Sequence, residues 1–168
     1  MTHRSMSMHD VYMSPDKRYR YWLEAKVSDV GDRVCMFVML NPSTADDSSS
    51  DPTISTCKRF ARDWGYGTLR VCNLFALRSP YPVALQNSRD PVGAENDEWI
   101  MRNARDSNVI VCAWGNHGGH LDRDGRVRQM LEGAGLAGKM RHLGMTTMGK
   151  PRHPLRLRAD TIPVRFLN

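Results

Sequence analysis

Three short apolar runs constrain the fold more than any other feature of the chain: VCMFVML at 34–40, TLRVCNLF at 68–75 and NVIVCAW at 108–114. None approaches the roughly 18 uninterrupted apolar residues of a membrane span, and none alternates with polar residues as a half-exposed strand does. Continuous short runs of this kind read as strands buried on both faces, and such strands need helices to cover them. The sequence between the runs supplies those helices. Asp51-Pro52 pairs a good N-cap with a good first helical residue, and Ile54, Cys57, Phe60, Ala61 and Trp64 then recur at three- and four-residue spacing before Gly65. A second helical stretch is expected over 95–103, and a third around Val127, Met130 and Leu131.

The remaining segments are weaker. Residues 19–27 (YRYWLEAKV) are aromatic and β-branched, and the turn residues SDVGD follow, which predicts a hairpin feeding the first buried strand. The Pro-rich stretch RSPYPVALQNSRDPVG is expected to be a loop with at most a short helix. Short strands are expected at 139–143 and after Arg152. The Met-rich first residues lack periodicity, so residues 1–16 are expected to form a flexible arm and 17–168 a single domain. Strands alternating with helices give an α/β three-layer sandwich with a mostly parallel central sheet. Ligands of such sheets bind beyond the carboxyl ends of the strands, which directs attention to Asn41, Asn73, Gly115 and Asn116.

Lys plus Arg number 24 against 18 Asp plus Glu, a net charge of +6 that suits a polyanionic partner without naming one. The first residues lack the apolar block of a signal peptide, so a cytosolic protein is expected, a monomer without membrane attachment. Cys35, Cys57, Cys72 and Cys112 form no C-x-x-C pair and three lie inside apolar runs, which reads as buried reduced thiols. No metal and no cofactor is expected.

Several polar residues admit two readings each. Asn41-Pro42-Ser43-Thr44 stands where a buried strand surfaces, either to aim an amide at a ligand or simply to turn the chain. Asn73 sits inside an apolar strand, where its amide either reads the edge of a nucleobase or bonds a neighbouring loop. Asp46, Asp47 and Asp51 are a solvated loop with a helix cap, or hold a divalent cation. His117 and His120 in HGGH belong to a flexible glycine loop or share an ion. His153, between prolines and amid Lys150, Arg152, Arg156 and Arg158, is either a neutral donor whose protonation the basic field opposes or part of a solvated basic tail.

The order of the motifs is more specific than any one of them. NPSTA, DPT, NLFA, DPVG, AWG and PRHPL, spread over 18–157, resemble a small family of microbial and phage proteins that forms a domain of unknown function. More remotely, the same order resembles the uracil-DNA glycosylase superfamily, which carries a Gly-x-Asn-Pro-Gly-like loop early and a His-Pro-Ser-like loop late. That resemblance implies an α/β fold of that type and an enzyme cleaving the N-glycosidic bond of a noncanonical or modified nucleobase in DNA rather than RNA. It further implies that Asn41 positions the water, Asn73 pairs with the flipped base, Phe75 or Trp114 stacks on it, and His153 donates to the departing base. Pro42, Ser43, Thr44, Gly115 and Asn116 would shape the substrate loop, and Lys150, Arg152, Arg156 and Arg158 would meet nucleic acid. Met39 and Ser43 stand where that superfamily has glycines, and Leu155 where it has serine. A noncatalytic nucleic-acid or nucleotide binder and a metal-dependent nucleotide hydrolase using the Asp loop are the alternatives.

Overall fold

A computed structural model describes residues 9–44 and 51–166. Seven strands form one sheet in the order β1-β2-β4-β3-β5-β6-β7: β1 His9–Met13, β2 Arg20–Lys26, β3 Val34–Met39, β4 Thr68–Asn73, β5 Val109–Cys112, β6 Met140–His142 and β7 Val164–Arg165. The inner four, β4, β3, β5 and β6, run parallel, and the flanking pairings are antiparallel. Four α-helices cover it: α1 Pro52–Asp63, α2 Val83–Asn87, α3 Asn96–Asp106 and α4 Arg123–Gly133. No helix among the described residues is long and apolar enough to cross a membrane.

The unbroken apolar runs follow from this layering. Along β3, Cys35, Phe37 and Met39 face α1, where they meet Ile54, Cys57 and Phe60. Met36 and Val38 face the opposite core, with Ile100 of α3 and Val127 and Leu131 of α4. A strand buried on both sides has no position left for a polar residue. Each large side chain sealed in this way contributes roughly 1.5–3 kcal/mol. All four cysteines lie in these cores, buried and unbridged. Burial pushes the Cys72 and Cys112 thiols up to about 12, far from nucleophilic use.

Helix α1 begins and ends where its sequence predicts. The Asp51 carboxylate accepts from the backbone N–H of Thr53 at 2.8 Å and of Ile54 at 3.4 Å, and Pro52 opens the first turn. Gly65, at φ 90°, closes it, and Tyr66 donates back to the carbonyl of Ala61.

Two expectations need correction. The segment after residue 18 does not form a hairpin with β3, because β2 pairs with β4 and β1 instead. Residues 9–13, expected within a flexible arm, form β1 on the sheet edge, where Tyr12 lies 5.0 Å from Trp99 and 6.3 Å from Trp22 between ring centroids. Isolated polarity concealed a strand whose value lies in covering those two indoles.

Candidate functional site

The strand register builds the site. Met39 pairs with Asn73 across β3 and β4, and Val38 with Cys112 across β3 and β5, so three parallel strands end at the same level. Their continuations carry Asn41, Asn73 and Gly115 to one rim. The late loop is tied to that rim by a hydrogen bond from the N–H of Gly115 to the carbonyl of Pro151 at 2.9 Å, which brings His153 over the strand ends. Gly115 has φ 75° and ψ −166°, a conformation essentially reserved for glycine.

A cavity of about 430 Å³ opens there. Asn41, Pro42, Ser43, Asn73, Trp114, Gly115, Asn116 and His153 all line it, so most of the residues singled out from sequence converge on one space. Phe75 and Thr44 do not line it. Phe75 is fully buried in the core with its ring 5.6 Å from that of His120, so the chain past the end of β4 carries it away from the rim. Thr44 is exposed, and its carbonyl accepts from Arg78 at 3.0 Å. Trp114 borders the cavity, but its indole packs beneath Gly118, where a Cβ would come within 2.3 Å of the ring.

The side chains differ in how they are held. Asn41 donates from Nδ2 to the carbonyls of Ser79 at 3.0 Å and of Leu77 and Pro42 at 3.3 Å, which clamps the amide and leaves Oδ1 as its acceptor. Asn73 is 2% exposed, and among the described residues its side chain has no hydrogen-bond partner. Its backbone carbonyl, by contrast, accepts from Asn96 at 2.9 Å. His153 accepts at Nδ1 from the N–H of Leu155 at 3.2 Å, so a neutral ring carries its proton on Nε2. Burial lowers the tendency of His153 to protonate, while the Asp51 carboxylate acts in the opposite sense. The basic field expected from sequence is therefore not the cause.

The basic segment divides. Lys150 is paired at 2.5 Å with the buried carboxylate of Asp124, and Arg158 makes two hydrogen bonds to Asp160, at 3.0 and 3.1 Å. Arg152 and Arg156 are exposed and line a second groove of about 450 Å³ that shares Gly115, Asn116 and His153 with the cavity. Unlike Lys150 and Arg158, neither of these two arginines pairs with a carboxylate among the described residues, and Arg152 donates from Nε to the carbonyl of Met145 at 3.2 Å. His117 lines the cavity while His120 turns towards Phe75, so HGGH does not gather two imidazoles on one point; it lies in a 3-10 segment over Asn116–Asp122. Asp46 and Asp47 lie outside the described residues, and no group of three potential metal ligands forms among the described ones. Asp51 lines the cavity with its oxygens already accepting from α1 and, at 3.0 Å, from the hydroxyl of Ser43.

Arg20 is the residue that sequence reasoning missed. It is 3% exposed and lines the cavity, yet its guanidinium has no hydrogen bond or ion pair among the described residues. Its backbone N–H donates to the carbonyl of Ala76, which sets the start of antiparallel β2 beside the ends of the parallel strands. Burial lowers its pKa to about 10, so it is charged at neutral pH. The only signal in the sequence was a charge at the head of an aromatic strand.

Residues 20–155 match the family described as Protein of unknown function (DUF1643). The chain belongs to that family. No curated protein and no solved structure matches it. The DUF1643 match runs from Arg20, at the head of β2, to just past His153, and so takes in every residue lining the cavity.

Proposed function

We propose that the chain is a DNA glycosylase-like enzyme that hydrolyses the N-glycosidic bond of a noncanonical or modified nucleobase, on a fold of the uracil-DNA glycosylase type. The observation that carries this reading is the convergence of Asn41, Asn73 and His153, from the end of β4 and two separate loops, on one cavity. Asn73 offers a donor and an acceptor that no group among the described residues uses, as the reader of a base edge requires. His153 retains an Nε2–H donor for the charge that develops on a departing base, worth on the order of 10²–10³ in rate. Asn41 presents a clamped acceptor to hold water.

The step balances without another reactant. The bond from C1′ to the base nitrogen breaks with its electron pair going to the base, water adds its oxygen to C1′, and the water's proton neutralises the base. His153 keeps its own proton throughout. The target base has to leave the stack to reach the cavity, and the Arg152 and Arg156 groove suits the phosphates on either side of it.

Met39 and Ser43, in place of glycines, bring side chains to the cavity wall, and Ser43 donates to Asp51. They narrow the approach of a duplex backbone and favour a substrate already single-stranded or distorted. The test is abasic-site formation, read by alkaline strand scission, on single- and double-stranded oligonucleotides carrying a panel of modified bases. Wild type is expected to produce abasic sites that Asn41→Ala and His153→Ala lose. Salt-sensitive binding with no scission on any substrate would instead establish a noncatalytic binding module, the reading that the Arg152 and Arg156 groove also supports.

A further inference from the structure

A buried guanidinium is costly unless something pairs with it, because desolvation is not offset. Among the described residues Arg20 has no hydrogen bond or ion pair, only the more distant charge of Asp51 acting on it, and the amide of Asn73, which lines the same cavity, has no hydrogen-bond partner either. Two polar groups on largely buried residues, both lining one cavity and without hydrogen-bond partners among the described residues, describe the ligand by complement. Arg20 has donors only, set in a planar fork that fits two adjacent acceptors. Asn73 asks for one donor and one acceptor side by side. We propose that the cavity takes a 6-oxopurine, with O6 and N7 on Arg20 and N1–H with O6 on Asn73. This rests on the reading of the cavity as a nucleobase site and names the base class it accepts; guanine fits the same atoms, so sparing of normally paired guanine falls to the cost of flipping a well-paired base rather than to Arg20 and Asn73.

The other bases fit less well for stated reasons. Uracil and its 5-substituted relatives satisfy Asn73 through O4 and N3–H but place carbon beside O4, so the fork of Arg20 gains one acceptor rather than two. Adenine presents an amino donor beside N7, which meets a guanidinium donor to donor. A free carboxylate or phosphate would suit Arg20 alone. It would then share the cavity with the Asp51 carboxylate, whose charge already acts on Arg20. A neutral double acceptor avoids that repulsion. Met39, Ile54 and Val71 supply apolar wall for a flat ring, and a space of about 430 Å³ is ample for a purine.

The test separates binding from cleavage. Calorimetric titration of the full chain with inosine, guanosine, adenosine, uridine and inorganic phosphate is expected to show the two oxopurine nucleosides binding at least tenfold tighter than the other three. Arg20→Met is expected to bring all four nucleosides within about twofold of one another, and Arg20→Lys, which keeps the charge but not the fork, to lose most of the preference. The ligand-free thermal midpoint of Arg20→Met is expected to equal or exceed that of wild type, since an unpaired buried charge is removed. A lower midpoint would make Arg20 structural and overturn the proposal. So would equal affinities across the nucleosides, a preference for uridine, or phosphate binding as tightly as inosine. Oxopurine preference without abasic-site formation would uphold the base class while removing the hydrolysis, and scission at uracil without that preference would do the reverse.

Discussion

Two pairs of buried residues, identical in type, lie on either side of the chain that follows β4. Arg123 and Asn96 are 4% and 0% exposed, and Arg20 and Asn73 are 3% and 2% exposed. The first pair is engaged. Arg123 donates from Nε to the carbonyl of Leu74 at 2.8 Å and pairs with Asp97, and Asn96 donates to the carbonyls of Asn73 and Leu74 at 2.9 and 3.0 Å. The second pair makes no side-chain hydrogen bond among the described residues and lines a cavity. Burial alone therefore does not separate the two pairs; what separates them is that Arg123 and Asn96 donate to protein groups, although Asn96 Oδ1 stays without a partner, while the side chains of Arg20 and Asn73 make no hydrogen bond among the described residues. Arg123 and Asn96 stitch α3 and α4 to the end of β4, and Arg20 and Asn73 are positioned by that stitched rim.

The contrast can be broken in a definite order. The largest effect is expected at the site: His153→Ala should lower single-turnover abasic-site formation by about 10²–10³, with thermal stability nearly unchanged. An equal fall in stability would mean that the ring holds the loop rather than a substrate. Next comes Arg123→Met, which strips a carbonyl and a half-exposed carboxylate of their partner and should cost about 2–3 kcal/mol in urea denaturation. If Arg20→Met costs as much, the two arginines are equivalent and the comparison fails. Asn96→Ala should cost about 1–2 kcal/mol through two lost hydrogen bonds, against about 0.5 kcal/mol or less for Asn73→Ala, which breaks none.

The smallest effect is on pH dependence. Burial lowers the pKa of His153 below its ordinary 6.5, so in the window just beneath 6.5 the unfolded chain binds more protons than the folded one. Stability is then fully present above 6.5 and is lost as pH falls through that window. His153→Gln should flatten this slope between about pH 7 and 5, leaving the parallel contribution of His142, also lowered by burial. An unchanged slope in denaturation midpoints would show that His153 is not held neutral by the fold.

Much of the frame was legible because local rules agreed with one another. The run at 34–40, the Asp51-Pro52 start and Gly65 stop of α1, and the short strands at 139–143 and near the end each answer to backbone preference or to burial on both faces. Strand pairing was not legible in the same way. The segment YRYWLEAKV has the composition of a strand but nothing in it selects β4 over β3 as neighbour, so the hairpin expectation failed. His9–Met13 escaped notice because an edge strand needs only a few contacts to hold it, here the tilted rings of Tyr12 and Trp99.

The site divides along the same line. Asn41, Asn73, Gly115 and His153 could be named from sequence because each follows a strand or sits in a rigid loop, and parallel strands end together once their register is set. The partners of each atom required the assembled molecule. Lys150 and Arg158, equal to Arg152 and Arg156 in sequence, are withdrawn by Asp124 and Asp160. Phe75, one of two candidate stacking rings, is absorbed into the core. By itself the sequence determined which segments become strands and helices, because those depend on neighbours a few residues away. Only the tertiary structure decided that Arg20 is buried, charged and without a hydrogen-bond partner among the described residues in the wall of the same cavity, because the desolvation of a charge depends on every element packed around it.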